Sequence, residues 1–183
     1  GASSGHGVEL WSILAAAVKQ PTEARLAFNV DPIGALARTG GLAASAAEEM
    51  SAAAAFARDA ADEFSASSFL RADARPVHEA GGTEGQELAF LAAAGAEYMR
   101  ALIGAGVSAD QAARSILFCL SMDSDFQVGM ARLRAARRIW SQIAEAFGAR
   151  GAAATMTLQA VTSRRMLARR DAWVNILRNT AAC

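Results

Sequence analysis

Arg75, His78 and Glu79 bring a guanidinium, an imidazole and a carboxylate together in the stretch Arg75-Pro76-Val77-His78-Glu79-Ala80-Gly81-Gly82. Such a trio suits proton transfer or the holding of an anion. A histidine titrates near neutrality, and a guanidinium grips carboxylate or phosphate oxygens in a fork. The commoner outcome for a lone histidine like His78 is partial burial with a bond to backbone, and Glu79 is expected to accept amides of its own turn. Arg132, Arg134, Arg137 and Arg138 spread over several faces of one helix, where solvated or salt-bridged surface is the expected role. Arg164, Arg165, Arg169 and Arg170 follow a strand instead, a better place for contact with phosphate. Cys119 lies inside an apolar run and is expected to be a buried free thiol. No metal site is expected.

Elements of alternating type must position these groups. Pro76 fixes its own φ and biases Arg75 toward extended backbone, so a strand is expected from about Phe69 to Arg75. After the Gly81-Gly82 break, Thr83-x-x-Gln86 forms a capping box that opens a helix over 84–105, with Leu88, Leu91, Ala92, Gly95, Met99 and Leu102 inward. Upstream, helical spacing covers Val8 to Lys19, a short strand Arg25 to Val30, a brief helix Ile33 to Arg38 and an alanine-rich helix Ala43 to Phe64. Downstream, Ser108-x-x-Gln111 caps a short helix, and Ser115 to Ser121 is apolar on both faces, as a covered parallel strand requires. Asp123 and Ser124 are placed to cap a helix over 125–147 that buries Phe126, Met130, Leu133, Trp140, Ile143 and Phe147. A fourth strand is expected from about Ala153 to Val161, then a last helix capped by Asp171.

A helix followed by four strand–helix units predicts a helix-rich α/β fold with a parallel sheet, about half of a (β/α)8 barrel of the TIM type. No glycine-rich phosphate loop follows the first strand, which weighs against a dinucleotide fold. A half-barrel exposes two strand edges that need cover from more chain, a second copy or a partner. With 183 residues the chain fits one domain or one piece of a larger protein. Residues 1–7 are small and polar, expected as a disordered or appended end, and residues 8–183 as the partial barrel. Eighteen basic and eighteen acidic residues cancel, so no global field recruits nucleic acid or an anionic membrane. Without a signal peptide or a long apolar run, a cytoplasmic location is expected.

Arg132-Leu133-Arg134-Ala135-Ala136-Arg137-Arg138-Ile139-Trp140 resembles a helix of the methylmalonyl-CoA mutase barrel. Glu79-Ala80-Gly81 with Gln86-Glu87-Leu88-Ala89-Phe90 resembles the segment ahead of it, and Ala160-Val161-Thr162-Ser163 with Trp173-Val174-Asn175-Ile176-Leu177-Arg178 the strand and helix after it. The resemblance covers roughly residues 68–183 in order, and residues 8–65 in outline. It implies the middle of a coenzyme-A-binding (β/α)8 barrel whose catalytic members use adenosylcobalamin to move a carbonyl-CoA group.

Departures from the catalytic pattern narrow that implication. Catalytic chains of the family carry Tyr-His just ahead of Gln-Glu-Ala-Gly, the histidine donating to the thioester carbonyl; here those positions are Arg75 and Pro76, and His78 stands at the glutamine. Proline has no side-chain donor. The arginine that pairs the substrate carboxylate is Thr39 here, with Arg38 beside it. The arginine directed to coenzyme A is Ser115, with Arg114 beside it, and Gln159 and Val161 replace a histidine and a glutamine. The cobalamin motif Asp-x-His-x-x-Gly is absent.

The chain is thus similar to the family's small subunit. A structural role as partner of the catalytic subunit in a heterodimer is the leading expectation, with no cofactor on this chain and adenosylcobalamin on the catalytic subunit. One alternative is an acyl-CoA-binding relative with a changed substrate, in which Arg75, His78 and Gln159 are the candidate catalytic residues and Arg114, Arg164 and Arg165 the candidate substrate contacts. The other is a half-barrel module that pairs with a second copy of itself.

Overall fold

The computed structural model describes residues 4–182. Its centre is a sheet of four parallel strands in the order β1 (Ala27–Val30), β2 (Ser68–Asp73), β3 (Ile116–Met122) and β4 (Thr157–Thr162). Between and around them run α1 (Ser4–Ala17), α2 (Pro32–Thr39), α3 (Ala46–Ala60), α4 (Arg75–Glu79), α5 (Glu84–Gly104), α6 (Ala109–Arg114), α7 (Phe126–Ala146) and α8 (Val174–Ala182). Sequential strand order with helical crossovers matches the expected α/β architecture, a partial barrel that does not close.

Alternation along the strands separates two faces. Phe118 of β3 points to the helices and meets the Trp140 ring of α7 at 4.5 Å between centroids. Gly95 of α5 permits that packing, because a Cβ there would come within 2.8 Å of Phe118 and 3.0 Å of Trp140. A second cluster joins Phe28, Phe56, Phe64 and Phe69, with Phe28 and Phe69 stacked at 5.4 Å. On the other face, register aligns Asp73 with Cys119 and Gln159, and Ser121 with Val161, so the concave side is largely polar.

The capping boxes of Ser45–Glu48 and Thr83–Gln86 are both formed. Ser108 caps α6 through the Gln111 amide. The cap of α7 is Asp125, whose carboxylate accepts from the Val128 amide at 3.1 Å, rather than Asp123 or Ser124. The last helix begins at Val174, beyond Asp171.

Five further expectations are corrected by the fold. Arg75 is not extended: β2 ends at Asp73, and Arg75 opens α4. The Asp73 carboxylate accepts the Arg75 amide at 3.0 Å, and Pro76, which has no amide to satisfy, suits a first turn. The first strand begins at Ala27 instead of Arg25, and within it Asn29 adopts φ 57, a left-handed conformation that asparagine tolerates, where the register shifts. Residues Ser4 to Gly7 belong to α1 instead of a frayed end, and Gly7 is buried against Val30 and Phe56, while Gly1 to Ser3 lie outside the described residues. The fourth strand starts at Thr157, because Gly151–Ala154 forms a 3-10 turn.

The fifth concerns α7. Its inner face is Gly129, Arg132, Ala136, Trp140 and Ala144, with Phe126 at 61% and Met130 at 41% exposure. Small residues let α7 approach α5 closely, and Arg132 turns inward because a buried acid on α5 receives it.

Candidate functional site

In parallel barrels, sites are assembled where the carboxyl ends of strands meet the loops that follow. A cleft of about 470 Å³ opens there, walled by Arg38, Arg75, Pro76 and Glu79 on one side and Ser121, Val161, Thr162 and Arg164 on the other. It is the β2–α4 turn and the segment after β4 that bring Arg75 and Arg164 to it.

Asp73, fully buried at the end of β2, anchors the floor. Arg75 wraps it, with Nε 2.8 Å from Oδ1 and Nη2 2.6 Å from Oδ2. Arg38 Nη1 reaches the same carboxylate at 3.3 Å and Arg71 Nε at 3.7 Å. Burial pushes the Asp73 carboxyl up, but the hydrogen bonds from Arg75 and the charges of Arg75 and Arg71 outweigh it, leaving the group below its ordinary range. Asp31, at the start of α2, behaves oppositely. Burial raises it, although Tyr98 donates to its Oδ1 at 2.6 Å and the Gly34 amide does so at 2.8 Å. Its Oδ2 has no hydrogen-bond partner, with Arg38 Nη2 3.7 Å away. The Cys119 thiol, buried on β3, is likewise pushed up by burial.

Beneath the cleft runs a second, fully buried circuit. His78 Nδ1 lies 2.6 Å from Glu87 Oε1, and its Nε2 lies 2.6 Å from Ser163 Oγ. Glu87 Oε2 accepts from Arg132 Nη2 at 2.9 Å, and the same nitrogen donates to the Ser121 carbonyl. Ser163 Oγ also accepts the Arg165 amide at 3.1 Å. With the imidazole proton on Nδ1, the ring donates to Glu87 and the Ser163 hydroxyl donates to Nε2. The circuit ties α4, α5, α7 and the ends of β3 and β4 into one unit.

The candidate residues therefore fall in different places. Arg75 and Arg164 line the cleft. His78 does not: it is 0% exposed with both ring nitrogens engaged, and its partners are side chains, not backbone. Arg165 donates to the carbonyls of His78 and Gly82 at 3.3 and 3.4 Å and so braces the turn after α4. Gln159 sits on β4, where Oε1 accepts from Arg71 Nη2 at 3.1 Å. Arg114 ends α6 just before β3, at the opposite end of the sheet from the cleft. Glu79 is exposed at the rim.

Sequence reasoning passed over Glu87, Ser163 and Asp73 as site residues, and it placed Arg132 on the surface although it is buried against Glu87. Glu87 and Arg132 were findable, since each lies on the same helical stripe as buried neighbours: Leu91, Ala94 and Tyr98 for one, Ala136 and Trp140 for the other.

Among the described residues no group of three or more metal-ligating side chains is present, and no helix is long and apolar enough to cross a membrane. A cobalamin lower ligand is not offered by His78, because neither ring nitrogen is available to a cobalt ion.

Comparison with known proteins places these features in a family. The methylmalonyl-CoA mutase family model matches residues 10–183. A methylmalonyl-CoA mutase small subunit of Streptomyces virginiae is 39% identical over 175 residues, covering 96% of this chain and 28% of the relative. The small subunit of Propionibacterium freudenreichii subsp. shermanii is 41% identical over 110 residues, covering 60% of this chain and 17% of its own. A methylmalonyl-CoA mutase of Escherichia coli (strain K12) is 35% identical over 103 residues, or 56% of this chain and 14% of that one. The chain spans about a quarter of the length of the Streptomyces relative. It belongs to the methylmalonyl-CoA mutase family.

Proposed function

We propose that this chain is a barrel segment of a mutase small subunit, cytoplasmic and catalytically silent, whose role is to support a catalytic mutase subunit in a heterodimer. The observation that carries the reading is Pro76. It lines the cleft at the position where the family's catalytic chains present the histidine that donates to the thioester carbonyl. A pyrrolidine ring supplies no donor, and the nearby His78 is sealed in the buried circuit. Val161 and Pro76 together give the cleft an apolar rim where a polarising contact would be needed.

A second feature supports the structural role. Among the described residues the outer edge of β4 is unpaired, and Phe126 and Met130 of α7, Trp173, and Ile176 and Leu177 of α8 are 41–79% exposed. Open edges and apolar patches of this kind call for a covering surface. Incubation of the purified chain with adenosylcobalamin and methylmalonyl-CoA tests the reading. The expected result is no succinyl-CoA and no change in the cobalamin spectrum; turnover by this chain alone would overturn it.

A further inference from the structure

The charge at the cleft is unbalanced. The guanidiniums of Arg38, Arg71 and Arg75 converge on the one carboxylate of Asp73, at 3.3, 3.7 and 2.6 Å. Asp31, the other buried acid nearby, faces Arg38 Nη2 at 3.7 Å, so with Arg164 four guanidiniums stand against the three carboxylates of Asp31, Asp73 and Glu79. Arg164 lines the opposite wall with no hydrogen bond or ion pair of its side chain to the described residues, and Glu79 is the one acid among the lining residues.

The donors are also held in place. Asp73 engages Nε and Nη2 of Arg75, which leaves Nη1 without a hydrogen-bond partner among the described residues. The backbone that carries Arg164 is fixed one residue earlier. There the Ser163 amide donates to the Met122 carbonyl at 2.6 Å, and the Ser163 hydroxyl bonds His78 at 2.6 Å. Two arginines on rigid backbones, facing across a cavity, form a clamp whose ordering cost is met by the fold before any ligand arrives. Its volume of about 470 Å³ suits a small molecule rather than a bare ion. Pro76, Val161 and Leu167 would pack against a short carbon skeleton.

We infer that the cleft between Arg75 and Arg164 is a binding site for a small organic dianion, a dicarboxylate or a phosphate monoester. The site stands apart from the subunit role: binding here requires no turnover, and a silent subunit keeps or lacks it independently.

Isothermal titration of the purified chain with glutarate, glycerol phosphate and acetate tests the inference. Glutarate, glycerol phosphate or both bind, and acetate does not; which dianion binds identifies the source of the charge. Arg164→Ala, which removes no side-chain hydrogen bond or ion pair to the described residues, weakens binding about tenfold or more, as expected for loss of a charge-assisted contact. Arg164→Lys, keeping the charge without the fork, restores part of it. Arg75→Gln abolishes binding, and thermal melting of each variant separates lost binding from lost folding. Dianions that bind no better than acetate, or affinity untouched by Arg164→Ala in a folded protein, would overturn the site.

Discussion

Replacing Glu87 by leucine should be among the most damaging single changes this chain can suffer. Glu87 is 1% exposed and stands between His78 at 2.6 Å and Arg132 at 2.9 Å, with Arg132 itself 3% exposed. Removing the carboxylate strands a guanidinium in the interior, and breaking a buried pair from one side costs about 3–5 kcal/mol. Domains of this kind hold about 5–15 kcal/mol in total. With a urea slope of about 1–3 kcal/mol/M, the unfolding midpoint drops by roughly 1–5 M. Removing both charges should hurt less. In Glu87→Leu with Arg132→Met no charge is left unpaired, and the residual loss is that of the partners of His78 Nδ1 and the Ser121 carbonyl, about 1–3 kcal/mol. Urea titration followed by circular dichroism on both single variants and the double gives the coupling energy. The expectation is a double variant more stable than Glu87→Leu by about 2 kcal/mol. A single variant that loses under about 1 kcal/mol, or effects that simply add, would refute the argument.

Three further outcomes follow from the packing and the charges. The Asp73 carboxyl lies below its ordinary value of 3.8 in the fold, so its contribution is present above that pH and is lost as pH falls through the lower folded value. Asp73→Asn should therefore flatten the acid limb of a Tm–pH curve, and an unchanged limb would contradict the arginine cluster. Tyr98→Phe removes the 2.6 Å hydrogen bond to buried Asp31; it should cost about 1–3 kcal/mol and lower Tm by roughly 2–12 °C in calorimetry. Gly95→Ala places a Cβ within 2.8 Å of Phe118, an overpacking cost of about 1–3 kcal/mol that helix propensity offsets by up to about 1 kcal/mol. The near-ultraviolet signal of Trp140 should change with it.

Periodicity and caps made the strand–helix order readable. The apolar run 115–121 and the box at Thr83–Gln86 each lie within a residue of an observed element boundary. What stayed hidden was polar burial. A pattern of apolar residues places Phe126 and Met130 inside α7 and its arginines outside, yet Arg132 is buried because Glu87, 45 positions earlier, waits for it. The same holds for His78, whose partners lie 9 and 85 positions away. Long-range ion pairs leave no local period, so the cleft could be placed at the carboxyl ends of the strands while its floor, Asp73, went unrecognised. Arg75 and Arg164 were legible as site residues because each lies at or just past the carboxyl end of a strand, and Arg114 was not excluded because single-chain spacing does not tell which end of a sheet an exposed arginine serves.

The central claim, that this chain supports a mutase rather than catalysing, meets its most direct test in sedimentation velocity of the chain mixed with a purified catalytic mutase subunit. The account predicts a new boundary at the mass of a one-to-one complex, with free chain depleted in proportion. Two independent boundaries at every ratio tried would contradict it.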